Sequence, residues 1–292
     1  MIKKIYALCL RLLTLLLGID FAKEFDAYLR FKRKLNLKNP KTLADKVTYL
    51  FLHKSSPLYS ICTDKWTVRD YIASKGLKDI LIPALGGPWS KVEEIDFDTL
   101  PEKFILKATH GCKMNYIVAD KKKLDKAYCK KTLQTWLNTV YGEYSLELHY
   151  KDIAPRIYAE ELLEVPGGLV DYKFHCLNGV PQFVLVCSER HQDAKGNMKI
   201  TRELFGPKWQ SYCGAVIPPC EPTQAAPSQL ERMLEISKIL SADFPFVRVD
   251  LYEVKGKIYF GELTFSPASG AFGHFSDKFI EEMGKKLQIS SD

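Results

Sequence analysis

Several signatures of well-known site types are missing from this 292-residue sequence. Its eight cysteines form no C-x-x-C pair and its six histidines lack metal-ligand spacing, so neither a disulfide framework nor a zinc site is expected. No G-x-G-x-x-G segment follows a strand pattern, and no nucleophile elbow or H-E-x-x-H helix is present. The composition therefore indicates a globular protein with reduced, cytosolic cysteines whose chemistry depends on charged side chains.

Acidic residues are scarce only at the N-terminus. The whole chain has 42 Lys+Arg and 35 Asp+Glu, a net charge of +7. Residues 1–60 contain 12 basic and 4 acidic side chains, a net of +8, which leaves 30 basic and 31 acidic groups, a net of −1, in the other 232 residues. The basic side chains are interleaved with Leu and Phe and no nucleic-acid reader motif accompanies them, so no nucleic-acid partner is predicted.

The basic N-terminal segment also contains an apolar run at residues 5–19. Lys3 and Lys4 precede it as in a signal peptide, but Arg11 interrupts it and no small-x-small cleavage site follows. The run is also shorter than the roughly 20 residues that span a bilayer. An apolar helix beside basic residues suits the inner face of an anionic membrane. A helix packed on the domain, with solvated lysines, is the alternative, and both remain open.

Helical and strand patterns are interspersed along the chain. Thr42 is a candidate N-cap for a helix over 42–53, and another helix is predicted over 63–75. Residues 83–89, with two glycines and a proline, are predicted to form a loop. Two hairpins are predicted around Asn178-Gly179 and Lys255-Gly256. Antiparallel hairpins among helices indicate an α+β fold instead of a doubly wound parallel sheet.

The second hairpin carries the most informative charges. Arg248 and Asp250 are two residues apart on one strand, so they project from the same face, and Glu262 falls on the adjacent strand. If the register aligns them, Asp250 and Glu262 form a hard-oxygen site suited to Mg²⁺. Arg248 could then neutralise a transferring phosphoryl group. A solvated sheet face with a cross-strand ion pair is the alternative interpretation.

Other candidate residues lie in the middle of the chain. Lys107 interrupts the apolar run FILKA, which enters a loop around Gly111, so the lysine and the loop amides could contact a phosphate. Glu160 and Glu161 follow an apolar run and could form a hinge that binds adenine, although such pairs also begin helices. Lys65 on its own is most simply a surface lysine.

Taken in order, several short segments of this sequence resemble the TupA-like ATP-grasp family. The resemblance extends from about residue 36 to residue 285 and rests on these segments: NPKT at 39–42, DKWTVR at 64–69, LPEKF at 100–104 with Lys107 and His110-Gly111, YAEE at 158–161, DYKF at 171–174, RVD at 248–250 and ELT at 262–264. It implies an α+β ATP-grasp fold in which two subdomains grip ATP. The expected organisation is a helical basic leader at 1–60 and subdomains at 61–159 and 160–292.

The resemblance also implies roles for individual residues, with ATP and Mg²⁺ as cofactors. The phosphate-binding residues would be Lys65, Lys107 and the loop with His110, Gly111 and Asn115. Glu160 and Glu161 would line the adenine and ribose pocket, and Lys173 would approach the phosphates. Asp250 and Glu262 would hold Mg²⁺, Thr264 would be a weaker ligand, and Arg248 would stabilise an acyl-phosphate.

The function that the resemblance implies is an ATP- and Mg²⁺-dependent carboxylate–amine ligase of bacterial cell-surface polysaccharide biosynthesis. Its acceptor would be a saccharide or amino acid bearing a carboxylate or an amine. A glycosyltransferase of capsule or lipopolysaccharide assembly is the alternative, although the nearest thing to a D-x-D metal motif is the pair Asp96 and Asp98. A non-catalytic nucleotide-binding scaffold is a third. The expected location is the cytoplasm, with peripheral contact at the inner face of the membrane as an open question.

Overall fold

The computed structural model describes residues 2–142, 146–192 and 198–289. In this part of the chain the helices are α1 Ile2–Leu17, α2 Ile19–Phe31, α3 Leu43–His53, α4 Pro57–Thr63, α5 Val68–Ser74, α6 Lys126–Leu137, α7 Leu230–Ser241 and α8 Asp277–Lys286. The strands are β1 Ala84–Trp89, β2 Phe104–Ala108, β3 Asn115–Val118, β4 Ile157–Glu160, β5 Asp171–Leu177, β6 Val180–Gln192, β7 Met198–Phe205, β8 Phe246–Val254 and β9 Lys257–Thr264.

The strands form two antiparallel sheets, which confirms the α+β class. One sheet has the order β1-β4-β2-β3 and the other the order β7-β6-β5-β8-β9. Both predicted hairpins are confirmed as β5–β6 and β8–β9. Their turns place Asn178 and Lys255, each followed by glycine, at positive φ, which is the geometry of tight two-residue turns.

Two predictions of local structure were wrong. Residues 84–89 form strand β1 instead of a loop, because Gly87, at φ 99°, allows the chain to approach the backbone of Ile157 and Tyr158. The helix expected over 63–75 is only α5, from Val68, because the Asp64 carboxylate accepts the N–H groups of the next turn. Strand β7 and helix α4 were not predicted from the sequence.

The chain divides into two compact units. The central unit comprises residues 56–142 and 149–164, and the C-terminal unit comprises residues 1–55, 143–148 and 165–292. The N-terminal helices belong to the C-terminal unit in this grouping, and the expected leader at 1–60 stays a prediction. The predicted boundaries of the two subdomains stay a prediction.

Each unit has its own hydrophobic core. In the central unit β2 and β4 pack against Cys129 and Leu133 of α6. In the C-terminal unit α3 and α8 cover one face of the five-stranded sheet, where Phe183 and Leu185 of β6 are buried. Helix α7 packs against β5, β6 and β8. Thr42 caps α3 as predicted, in a reciprocal capping box with Asp45.

Two basic residues of the N-terminal helical region are anchored in the C-terminal unit. Lys23 is fully buried; its ammonium donates to Asp26 at 3.2 Å and to Ser269 at 2.6 Å. Arg33 donates to the carbonyl oxygens of Ala271 and Phe275 at 3.2 and 3.0 Å. These contacts fasten the N-terminal helices to the segment that follows β9. Among the described helices, none is both long enough and apolar enough to cross a membrane.

Candidate active site

Four charged side chains lie together on the five-stranded sheet. Lys173 of β5 is paired with Asp250 of β8, and Asp250 is paired with Glu262 of β9. Directly opposed residues of antiparallel strands point to the same face, so these three side chains form one row. Arg248, two residues before Asp250, lies on that face in the next row, opposite Thr264. We use the name charged row for the three side chains of the first row together with this arginine: Lys173, Asp250, Glu262 and Arg248.

The charged row is fully connected by hydrogen bonds. Arg248 donates to both carboxylate oxygens of Asp250, at 2.6 and 2.7 Å, and to Oε1 of Glu262 at 2.7 Å. Lys173 donates to the second oxygen of Asp250. The Thr264 hydroxyl donates to Glu262 at 3.0 Å. Strand β5 and the β8–β9 hairpin thus bring together all five sequence-predicted residues of this unit, and the two carboxylates converge as the spacing indicated.

Burial separates the two carboxylates. The Asp250 side chain is 1% exposed, whereas that of Glu262 is 35% exposed. Burial by itself lowers the pKa of Arg248, but the charges of Asp250 and Glu262 outweigh it and hold that pKa above its ordinary value. The guanidinium is therefore permanently charged, and Glu262 is the carboxylate that solvent and ligands can reach.

A β-bulge sets the position of Glu262. Asp250 pairs with Glu262 but Leu251 pairs with Phe260, so Gly261 is the extra residue on β9. A Cβ at Gly261 would lie 3.0 Å from the Tyr252 ring and 3.1 Å from the Asp250 carbonyl oxygen. Glycine therefore lets the two strands stay close beside the charged row.

Two further residues of β5 contact this region, and neither was a site candidate from the sequence. Asp171 is 1% exposed, and its carboxylate lies 3.6 Å from the Lys173 ammonium. The signal was available, because residues two apart on a strand share a face. His175 is buried against Phe183, with ring centroids 4.3 Å apart, and burial lowers its pKa well below the usual value. It is therefore a neutral packing residue directly opposite Arg248 of β8.

The central unit contains a second, smaller charged cluster. Lys107 of β2 forms an ion pair with Glu160 of β4, and their side chains are 17% and 4% exposed. The hydroxyl of Tyr158 donates to the other Glu160 oxygen at 3.1 Å. Burial and the neighbouring Glu160 raise the pKa of Tyr158 well above its ordinary value, so the hydroxyl keeps its proton. The lysine that interrupts the FILKA strand is thus held by a buried carboxylate.

Lys65 is connected to the glycine loop, which we define as residues 109–115. Its ammonium donates to the carbonyl of Gly111, and its backbone N–H donates to the carbonyl of Thr109 at 3.1 Å. The simplest interpretation from the sequence, an isolated surface lysine, therefore underestimated it. Asp64 beside it forms an ion pair with Arg156 at 3.0 Å, which fixes the start of this segment.

The other predicted residues of the glycine loop occupy different environments. His110 is 1% exposed; its ring bonds the Trp136 carbonyl at 3.1 Å, and burial lowers its pKa. Gly111 is packed so closely that a Cβ would lie 2.9 Å from the Tyr141 ring. Asn115 is exposed and lies opposite Lys107 in the β2–β3 register. The loop thus has a buried base and an exposed tip.

Glu161 and the D-x-D-like pair lie apart from these clusters. Glu161 is exposed and its N–H donates to the Pro83 carbonyl at 3.0 Å. Asp96 and Asp98 are exposed on either side of buried Phe97, and Asp98 forms an ion pair with Lys126 at 2.8 Å. Within residues 2–142, 146–192 and 198–289, no group of three or more His, Cys, Asp and Glu side chains has a metal-binding arrangement.

Comparison with known families identifies the chain. Residues 45–288 match the TupA-like ATP-grasp family, which is more than four-fifths of the sequence. This chain belongs to that family. The resemblance seen in the short segments is therefore confirmed, and the ATP-grasp fold with it. The charged row, the glycine loop and Glu160 all lie inside the matched range.

Several solved structures of ligases and synthetases are similar to this chain at low identity. D-alanine–D-alanine ligase from Bacillus anthracis matches with 14% identity and a TM-score of 0.42, over 70% of this chain and 57% of that one. The Helicobacter pylori ligase matches with 15% identity and a TM-score of 0.43, over 78% and 62%. D-cycloserine synthetase DcsG matches with 16% identity and a TM-score of 0.45, over 80% and 72%. This chain thus spans about three-fifths of the two ligases. No curated protein matches its sequence.

Proposed function

We propose that this member of the TupA-like ATP-grasp family is an ATP- and Mg²⁺-dependent ligase. It would phosphorylate a carboxylate and pass the acyl group to an amine. The observation that carries the proposal is the charged row, in which Asp250 and the more exposed Glu262 are joined by Arg248. A non-catalytic scaffold would not need a solvent-accessible carboxylate beside a permanently charged guanidinium.

The donor set of the charged row fits Mg²⁺. The two carboxylates and the Thr264 hydroxyl offer only hard oxygen ligands, which Mg²⁺ prefers. No Cys or His ligand is needed for such a site. Two carboxylates also agree with the usual Mg²⁺ site, which is completed by water and substrate phosphate. When bound, the metal would offset the negative charge of the ATP phosphates. Glu262 would be the carboxylate that the metal reaches first, because both Asp250 oxygens accept from Arg248 or Lys173, so Asp250 would exchange one of these contacts for the metal; Thr264, a neutral hydroxyl that donates to Glu262, would be the weakest ligand.

The cationic residues would bind the ATP phosphates and stabilise the charge that develops on them. Arg248 would stabilise negative charge that develops during phosphoryl transfer, because its pKa stays high and its position is fixed by two carboxylates. Lys173 would approach the phosphates from the same row. In the central unit Lys107, Lys65 and the amides of the glycine loop would bind phosphate oxygens. His110 would support that loop from beneath.

Glu160 and Glu161 would contribute differently to the nucleoside site. The Glu160 carboxylate is buried with Lys107 and Tyr158, so it would position the lysine. The Glu161 carboxylate is exposed, so it is the one able to accept hydrogen bonds from ribose hydroxyl groups. Glu160 ends strand β4 and Glu161 follows it, in keeping with an adenine and ribose pocket at the end of that strand.

The family takes its name from teichuronopeptide synthesis. This supports an acidic cell-surface polysaccharide, or its amino-acid decoration, as substrate. The acceptor would be a saccharide or amino acid with a carboxylate or an amine. We propose that the enzyme acts in the cytoplasm, in peripheral contact with the inner face of the membrane that carries such intermediates. Capsule and other envelope polymers belong to the same substrate class.

Product analysis tests the proposed chemistry. Purified protein would be incubated with Mg²⁺, ATP, candidate uronic-acid glycans and amino acids, and nucleotide products would be separated by ion-exchange chromatography. We expect release of ADP and phosphate that depends on both a carboxylate and an amine, and its loss in Glu262→Ala. Release of UDP from a nucleotide sugar, with no ADP, would instead establish the glycosyltransferase alternative and overturn the ligase.

A further inference from the structure

Helix α1 exposes an unusually apolar surface. Besides Leu17 at the C-terminal end of the helix, which is 57% exposed, five large aliphatic side chains on α1 are at least half exposed: Ile5 61%, Leu8 57%, Leu12 50%, Leu15 81% and Leu16 77%. At 100° per residue these positions fall within an arc of about 100°, so they form one continuous stripe. We call them the leucine stripe. An exposed contiguous apolar patch of this kind marks an interaction surface.

The leucine stripe is not the face by which α1 packs on the protein. Ala7 and Leu10 lie on the opposite side of the helix and are 7% and 0% exposed. On the same buried side, the Tyr6 hydroxyl donates to Asp26 of α2 at 2.6 Å. Helix α1 therefore already has a satisfied inner face. The leucine stripe is additional apolar surface on a helix that is fixed in place.

Positive charge borders the leucine stripe. Arg11 is exposed one residue before Leu12, at the edge of the stripe. Exposed Arg30, Lys32, Lys34, Lys38 and Lys41 follow in and after α2. Residues 1–60 carry 12 basic and 4 acidic groups, and two of the acidic ones, Asp26 and Asp45, are buried. A partner of the leucine stripe therefore meets Arg11 at its edge, on a segment of the chain that is strongly basic in sequence.

Charge complementarity selects the occupant. A second copy of this chain would bring two segments of net charge +8 together, which like-charge repulsion opposes. An anionic lipid surface offers hydrocarbon for the leucines and negative headgroups for the basic side chains. Helix α1 has 16 residues, about 24 Å of helix, which suits an orientation in the plane of the interface.

We propose that the leucine stripe of α1 docks this protein on an anionic membrane surface. This deepens the proposed peripheral location by assigning it a surface, a lipid class and an orientation. Tyr6 joins α1 to α2, and Lys23 and Arg33 fasten α2 and the residues after it to the segment that follows β9. The C-terminal unit would therefore be held at the bilayer as one body with its docking helix.

Vesicle co-sedimentation with full-length protein tests the proposal. The vesicles would contain phosphatidylcholine alone or phosphatidylcholine mixed with phosphatidylglycerol. We expect binding to the anionic vesicles only, weakened by added salt. The variant Leu12→Glu/Leu15→Glu should lose at least about tenfold in binding, because charged residues cannot enter hydrocarbon.

A matched variant controls for the added charge. Ile117 and Ile217 are exposed to a similar degree, 61% and 51%, but lie far from α1 in sequence. Ile117→Glu/Ile217→Glu adds the same two negative charges and should bind anionic vesicles within about twofold of the unchanged protein. Equal loss in both variants would show that net charge alone drives binding and would overturn a docking role for the leucine stripe.

Other outcomes of these experiments also test whether an anionic membrane occupies the leucine stripe. Equal binding to both vesicle types, or to neither, would overturn the anionic occupant. A dimer in analytical ultracentrifugation that only Leu12→Glu/Leu15→Glu dissolves would assign the stripe to a second copy. ADP release measured on the same variants separates this proposal from the ligase: vesicle binding without ATP turnover leaves the docking surface standing and contradicts only the proposed chemistry.

Discussion

The two groups of proposed site residues are built in different ways. In the C-terminal unit the charged row stands on three adjacent strands, and each side chain is positioned by cross-strand register. In the central unit Lys107 and Glu160 also face each other across strands, but Lys65, His110 and Gly111 are held by contacts within and around a loop. The first group is therefore a property of the sheet, and the second depends on loop conformation.

This difference has an energetic side. The charged row concentrates two cations on one buried carboxylate, Asp250, so that carboxylate is both a structural and a functional element. The central cluster spreads its contacts over an ion pair and several backbone carbonyl groups. We therefore expect loss of Asp250 to affect stability most, and substitutions around the glycine loop to affect nucleotide affinity with smaller losses of stability than loss of Asp250.

Removing Asp250 should have the largest effect. Asp250→Ala leaves Arg248 and Lys173, only 13% and 15% exposed, without their shared carboxylate, so we expect a loss of about 3–5 kcal/mol in unfolding free energy. Urea denaturation followed by circular dichroism measures it. Glu262→Ala is the matched comparison and should cost about 1 kcal/mol, because Glu262 is more exposed and Arg248 keeps Asp250. Equal losses would contradict the asymmetry between the two carboxylates.

Breaking the Lys107–Glu160 pair comes next. Lys107→Met leaves the buried Glu160 with only the Tyr158 hydroxyl, and we expect a loss of about 3 kcal/mol, much of it recovered in Lys107→Met/Glu160→Gln. Lys103→Met is the control, since Lys103 pairs with Glu164 on the surface and should contribute at most about 1 kcal/mol. A double variant no more stable than Lys107→Met would refute the burial argument.

The sequence could predict the charged row for a physical reason. Arg248 and Asp250 are two residues apart, and a tight turn at Lys255-Gly256 brings Glu262 to the neighbouring strand, so the pairing of charges follows from the period of a strand. The bulge at Gly261 has no such periodic signal, although it sets the register at Glu262. The partnership with Lys173 needed the order of strands, which local sequence does not encode.

Loop and edge geometry could not be derived in the same way. Strand β1 contains two glycines and a proline, which indicate a loop, and only its pairing with β4 makes it a strand. Lys65 lies 46 residues from Gly111 in sequence, so its contact with the glycine loop is a tertiary feature. The exposed stripe of α1 was likewise hidden, because an apolar helix does not reveal which of its faces is covered.

A substitution at Gly111 tests whether the glycine loop contributes to nucleotide binding. Gly111→Ala would place a Cβ 2.9 Å from the Tyr141 ring and 3.0 Å from the Met114 sulfur, and we expect about 1–2 kcal/mol of destabilisation with weaker ATP binding. Gly214→Ala has no heavy atom within 4 Å of the new Cβ and should change unfolding free energy by less than about 0.5 kcal/mol. Thermal denaturation with and without ATP measures both. Unaltered ATP affinity in Gly111→Ala would argue against the loop as a nucleotide contact.

The smallest expected effect concerns pH. Burial lowers the pKa of His175 in the folded protein, so the unfolded chain binds the proton more readily as the pH falls below about 6.5. Stability should therefore decrease from pH 7.5 to 5.5, by about 1 kcal/mol from this residue alone. His175→Gln should reduce that dependence. Urea midpoints at the two pH values test this, and an unchanged slope in the variant would mean that His175 is not responsible.

The central claim is that the charged row binds the Mg²⁺ ion that accompanies ATP. Isothermal titration of ATP into the protein, with and without Mg²⁺, tests it most directly when the unchanged protein and Glu262→Ala are compared. We predict Mg²⁺-dependent ATP binding by the unchanged protein and loss of the Mg²⁺ dependence in a Glu262→Ala variant whose circular dichroism spectrum is unaltered. Absence of ATP binding at millimolar nucleotide, or full Mg²⁺ dependence in Glu262→Ala, would contradict the account.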